Sequence, residues 1–188
     1  YNILLTIYPT AQIDSVGTTK ETGDIMMFRK DKPTILFENK NYDKNVSQDE
    51  VRKFLRDVET KNCSAIMMAQ HYGITNKDNF EIELNNNNIL VYLHKVEYDA
   101  DKIKAAVDII DHFKLLEKYC TILGFDYKTY SVIKELLPVL NTGHNPLTVI
   151  ASTIYKYCKE KKLKYSMKYI SSIVGISSVS IQRFLKQC

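Results

Sequence analysis

Three residues stand where phosphate chemistry could be done. Asp24 opens the apolar run "DIMMFRK", and Glu38 and Lys40 close the next, "TILFENK". Side chains alternate along a strand, so Glu38 and Lys40 share one face and Asn39 takes the other. If the two runs pair as an antiparallel hairpin, the start of the first meets the end of the second. Asp24, Glu38 and Lys40 then converge at one edge of a sheet. Two carboxylates with waters and a phosphate oxygen suit Mg²⁺, which takes few, hard oxygen ligands, and a shared ion would hold the carboxylates about 4–6 Å apart. Mg²⁺ or Mn²⁺ in that place polarises a phosphate and lowers the pKa of a bound water. The lysine would orient that water or stabilise developing charge. The plainer alternative is a surface ion-pair cluster at exposed strand ends.

The elements that must position these residues follow from local pattern. "YNILLTIY" reads as the end of a helix stopped before Pro9, and "AQIDSVG" as a short strand. The two apolar runs are strands joined by the turn "DKP". Ser47 is an N-cap, with Glu50 three residues later completing a capping box. The helix behind it, "QDEVRKFLRDVETKN", places Val51, Phe54, Leu55 and Val58 on one face. "CSAIMMAQ" is a nearly continuous apolar run, as expected of a strand covered on both faces. "NFEIELNNNNILVYLHKV" reads as a hairpin whose loop is the asparagine run, and "DADKIKAAVDIIDHFKLL" as a helix capped by Asp99. The order α-β-β-β-α-β-β-β-α predicts an α/β (α+β) domain with a mixed sheet over residues 1–112.

Asp24, a gap, then Glu38-Asn39-Lys40 at a strand end before a helix resembles the PD-(D/E)xK superfamily, the restriction-endonuclease-like nucleases. "ENKNYDKNVSQDEVRKFLRDV" is especially similar to the branch that holds the archaeal Holliday-junction resolvases. The resemblance implies a metal-dependent phosphodiesterase with Asp24 and Glu38 as ligands and Lys40 as the catalytic lysine. It also implies a ligand role for the main-chain carbonyl of Asn39, and an active-site role for Gln70 at the end of the following strand. Gly23 stands where the motif has proline. The acid that the family often takes from its first helix has no clear counterpart, Glu21 being a weak match. His71, next to Gln70, could line the same cleft, whereas His94 and His112 suggest no metal or triad chemistry. No Ser/His/Asp or Cys/His set and no glycine-rich phosphate loop is present.

Charge divides the chain. Residues 1–110 carry 14 Lys/Arg against 17 Asp/Glu, and residues 111–188 carry 12 against 5, so the second part is basic by 7 charges. A basic unit invites a polyanion, DNA or RNA, although a lysine-coated solvated face is the bland alternative. Cys63, Cys120, Cys158 and Cys188 show no CxxC spacing, which argues against a zinc site or a disulfide framework and for a reducing, intracellular compartment. No apolar run is long enough to span a bilayer, and no signal peptide is visible. The start at Tyr1 suggests a fragment.

Residues 113–188 read as helical throughout. "LLEKYCTILGF" closes at Gly124, and "YKTYSVIKELLPVL" spaces Tyr130, Ile133 and Leu137 helically, with Pro138 near its end. "NPLTVIASTIYKYCKEKKL" has Asn145 as cap and Pro146 at its first position. Leu147, Ile150, Ala151, Ile154 and Cys158 form its buried stripe. "YSMKYISSIVGISSVSIQRFLK" is a helix-turn-helix pattern packed by Ile170, Ile173, Val174 and Ile176. It exposes Ser180, Gln182 and Arg183, which in a major groove could read bases. Lys161, Lys162, Lys164 and Lys168, near its start, are candidates for phosphate contacts. The alternative is that these helices merely end a bundle.

The stretch from Thr142 to Lys186 resembles part of a cyclin-like repeat of transcription factor IIB, a likeness that covers about residues 115–187, enough for one five-helix repeat. Gly143, Asn145, Pro146, Ala151, Ile170, Gly175, Val179, Ile181 and Arg183 carry the likeness. The resemblance implies a helical DNA-binding module and, at one remove, RNA polymerase or other transcription proteins as partners. The composition, rich in Lys, Asn, Ile and Tyr, suits a large DNA virus or an AT-rich microbial eukaryote. That would place the protein in a nucleus or a cytoplasmic virus factory. Two functions are expected in competition: a Mg²⁺-dependent DNA endonuclease with a helical DNA-binding module, or a non-catalytic initiation factor whose nuclease-like domain is a scaffold.

Overall fold

A computed structural model of the chain describes residues 1–16, 25–137 and 144–187. Asp24, Glu21, Gly23, Pro138, Gly143 and Cys188 lie outside the described residues. The chain divides into two compact units, Tyr1–Asp111 and His112–Cys188.

The first unit is built on a mixed six-stranded sheet of order β1-β2-β3-β4-β6-β5. Its elements in chain order are α1 (Asn2–Ile7), β1 (Gln12–Ser15), β2 (Ile25–Phe28), β3 (Ile35–Lys40), α2 (Gln48–Lys61), β4 (Ser64–Ala69), β5 (Phe80–Asn85), β6 (Asn88–Leu93) and the first part of α3 (Ala100–Ile122). This is the predicted order. β3, β4 and β6 run parallel and form the middle of the sheet, while β1, β2 and β5 are antiparallel to their neighbours. Parallel neighbours need a crossover, which α2 supplies between β3 and β4. Every side chain of β4 and β6 is buried, whereas β5, at the sheet edge, is half-exposed along nearly all its length.

One sheet face carries Leu36, Ala65, Met67, Ala69, Leu90 and Tyr92, and packs on Val51, Phe54 and Val58 of α2. Phe54 meets Tyr92 edge to face, with ring centroids 5.9 Å apart. The asparagine run makes the hairpin turn: Asn85 pairs with Asn88, while Asn86 and Asn87 have φ of 48° and 67°. Two successive positive φ values belong to a type I′ turn, whose twist matches the strands it joins and which asparagine tolerates. Asp99 caps α3, its Oδ1 accepting from the Asp101 amide at 2.8 Å.

The second unit holds the rest of α3 and α4 (Tyr127–Glu135), α5 (Pro146–Glu160), α6 (Met167–Val174) and α7 (Ser178–Leu185). α3 ends at Gly124 in the left-handed conformation, with the Phe125 amide donating to the Cys120 carbonyl at 2.9 Å, so orphan carbonyls are satisfied. Asn145 caps α5 and Pro146 occupies its first turn. The expected single stripe on α5 is too narrow. Leu147 is only half-buried, while Thr148, Val149, Ser152, Thr153 and Tyr157 are buried beside Ile150, Ala151, Ile154 and Cys158. A helix surrounded by α4, α6 and α7 buries most of its circumference, which a one-sided pattern does not anticipate. Cys63, Cys120 and Cys158 are free and buried. Desolvation pushes the Cys120 thiol up to about 12 and that of Cys158 to about 11, which leaves both protonated and inert. Among the described residues no helix is long and apolar enough to cross a membrane.

Candidate functional site

The carboxyl ends of β3 and β4 lie side by side, Lys40 opposite Ala69, with Gln70 directly after. Parallel strands bring their carboxyl ends, and the loops that follow, to one edge, where open α/β sheets bind ligands. Here alternation sorts the side chains into two groups.

On the α2 face, Lys40 Nζ lies 2.5 Å from Glu38 Oε1 and 2.5 Å from Glu50 Oε2. The Lys40 and Glu38 side chains are 3% and 4% exposed and Glu50 is half-buried, so the Glu38–Lys40 pair is buried and not the surface ion pair that exposed strand ends would make. The Tyr42 ring lies under the same ammonium, 5.7 Å to its centroid. Burying an ammonium costs several kcal/mol unless it is paired, which two carboxylates accomplish here.

Glu50 is the member that sequence reading placed elsewhere. Only half of the expected capping box forms: Ser47 Oγ accepts from the Glu50 amide at 3.4 Å, but the Glu50 carboxylate goes to Lys40. Its position in the first turn of α2 explains this. A crossover helix starts near the carboxyl end of the strand it follows, so its first turn looks back at that end. A carboxylate within one helical turn of a strand ending in Glu-x-Lys was the available signal.

On the opposite face, the Gln70 amide nitrogen donates to Asn39 Oδ1, and Gln70 Oε1 accepts from the Tyr98 amide at 2.8 Å. Gln70 is 2% exposed. The structure therefore brings Gln70 to Asn39 and to the loop after β6, and not to the Glu38–Lys40 side. His71 packs edge to face on Tyr98. His94 accepts from the Ile74 amide through Nε2 at 3.0 Å, and desolvation holds its pKa below the usual histidine range.

β2 and β3 pair antiparallel, as the hairpin reading requires, with Ile25 opposite Phe37. Asp24 precedes Ile25 in the chain and lies outside the described residues, so its separation from Glu38 is not part of this geometry. Among the described residues no three His, Cys, Asp or Glu side chains form a metal-binding group. Mg²⁺ does not require such a cage: one or two carboxylates with waters and a substrate phosphate suffice. Glu38 and Glu50 offer hard oxygens, but both converge on the Lys40 ammonium, which occupies the point between them.

In the second unit, α6 and α7 meet at Gly175, φ 79°, with Ser177 capping α7 through its hydroxyl. Ile170, Val174, Ile181 and Phe184 are buried, and Ile173 and Ile176 half-buried. Gln182 and Arg183 are exposed. Ser180 is less available, because its hydroxyl lies 2.9 Å from that of Ser177 within the cap. Lys161, Lys162, Lys164 and Lys168 are all exposed.

Compared with protein-family models, with curated proteins and with solved structures, the chain matches none.

Proposed function

We propose that the chain is a DNA-binding protein whose first unit is a Mg²⁺-dependent phosphodiesterase and whose second unit is a helical DNA-binding module. The observation that carries this reading is the buried Lys40 held between Glu38 and Glu50 at the carboxyl edge of parallel strands. Asp24 would join Glu38 and the Asn39 carbonyl in holding Mg²⁺ or Mn²⁺. Bound there, the ion would supply Lewis acidity toward a phosphate and an activated water. Lys40 would contribute a fixed positive charge facing the phosphate, its position set by two carboxylates and the Tyr42 ring. Glu50 would hold Lys40 in place.

Incubation of the whole chain with duplex, single-stranded and branched DNA, with Mg²⁺ or Mn²⁺, tests this. Cutting is expected, abolished by Asp24→Asn with DNA binding retained. A near-total loss follows because a metal-bound water accounts for several kcal/mol of the barrier.

A second reading has its own observation. Lys40 is already neutralised and enclosed, so the cluster is complete as a structural core without metal. On that reading the first unit is a scaffold and the chain is an initiation factor of the IIB type, which binds DNA through α6 and α7 and engages RNA polymerase. Wild-type protein that binds but cuts none of the three DNAs would select it.

A further inference from the structure

We propose that His71 and Tyr98, at the carboxyl edge of β3 and β4, form a stacking site for one unpaired nucleobase. This rests on the nuclease reading of the first unit and names its substrate class: DNA with an unstacked base, as in single strands.

The loop after β6 carries three non-glycine residues in the left-handed region within four positions: Lys95 at φ 47°, Glu97 at 52° and Tyr98 at 58°. For a bulky aromatic such backbone is unfavourable, and it persists only where surrounding structure over-determines it. Here it does. The Val96 amide donates to the Ala69 carbonyl at 3.0 Å, Glu97 to the Gln70 carbonyl at 3.0 Å and Lys95 to the Tyr72 carbonyl at 3.2 Å. The Tyr98 amide donates to Gln70 Oε1 at 2.8 Å. The side chain presented by this constrained backbone is not a core side chain: Tyr98 is 49% exposed. Its ring packs edge to face on exposed His71, centroids 6.4 Å apart and planes at 74°. In a perpendicular pair each ring keeps at least one face free of the other. Tyr72, 44% exposed, follows His71.

The same Gln70 that holds Tyr98 holds Asn39, the residue between Glu38 and Lys40. The platform and the carboxylate cluster thus lie at one strand edge, on opposite faces of the sheet. The occupant is inferred from ring chemistry. Tyrosine and histidine stack on bases whatever the sequence, because every base has a π-face. Glu97 and Asp99 flank Tyr98 in the chain, with exposed Lys95 three residues before it, so the loop carries no net basic charge to attract phosphate.

The test uses the whole chain in EDTA, where no cutting occurs, and a single-stranded oligonucleotide carrying 2-aminopurine. Stacking quenches the probe, so quenching is expected with the single strand and not with the same probe inside a duplex. Tyr98→Asn keeps a residue that tolerates left-handed backbone. It should weaken binding about 5-fold or more with an unchanged salt slope, while Tyr98→Phe binds as wild type. Equal binding by Tyr98→Asn, or equal loss in Tyr98→Phe, overturns the proposal. Quenching without cutting in Mg²⁺ would sink the enzyme reading and leave the stacking site; cutting without quenching would do the reverse.

Discussion

The Lys40 ammonium is held between the Glu38 and Glu50 carboxylates. Removing one partner from a buried ion cluster leaves uncompensated charge and costs about 3–5 kcal/mol. Lys40→Met should therefore lower thermal stability strongly, since Glu38 and Glu50 would face one another with no cation between them. If their oxygens can hold a metal, Mg²⁺ should restore much of the loss in this variant and stabilise wild type less, by ordinary mass action. Lys40→Met that ignores Mg²⁺ in a melting series would argue against a metal at this point. His94 makes a separate prediction. Its folded pKa is depressed, so the unfolded chain binds more protons, and stability must fall as pH drops below the ordinary histidine value. Protonation also removes the Nε2 acceptor of the Ile74 amide, a bond of about 1 kcal/mol. Melting between pH 7 and 5 should show the decline, and His94→Gln should flatten it; an unaltered slope would assign it to another group.

At the scale of elements, the α6–α7 turn depends on Gly175. No atom lies within 4 Å of where its Cβ would be, so Gly175→Ala incurs backbone strain alone. At φ 79° that strain is about 1–2 kcal/mol, and Gly175→Asn should recover part of it. Thermal unfolding measures both, and equal stability of Ala and Gly would mean that the turn adjusts. The exposed face of α7 makes a different prediction. If it enters a major groove, Gln182→Ala and Arg183→Ala should each cost about 1–3 kcal/mol on a preferred site and little elsewhere. A selected-site binding series that shows uniform loss would make them phosphate contacts instead.

Across the whole molecule, charge follows the division into units. With Asp111 in the first unit, the two carry 14 Lys/Arg against 18 Asp/Glu and 12 against 4. Phosphate contacts release counterions, with a log–log salt slope near −0.9 per contact on duplex DNA. Replacing Lys161 and Lys164 by Gln should weaken binding to all sequences alike and reduce the slope by about 2. Binding titrations of the whole chain at several salt concentrations measure this. An unchanged slope would make these lysines a solvated surface and move the DNA contacts elsewhere.

The order of elements was legible because each is announced locally. Ser47 and Asn145 do cap the helices they precede, Gly124 ends its helix, and the asparagine run turns a hairpin. Backbone sterics and neighbouring residues suffice for such signals. The pairing of Glu38 with Lys40 was legible too, since strand alternation puts both on one face. Three features were decided only in the folded chain: the carboxylate of Glu50 on Lys40, the turn of Gln70 away toward Asn39 and Tyr98, and the burial of α5 nearly all round. Each joins elements whose sequence separation carries no periodic signal. Which residues meet there depends on how α2, the loop after β6 and the helices around α5 pack. Burial in turn sets whether a charge must find a partner, as the ammonium of Lys40 does in two carboxylates from different elements.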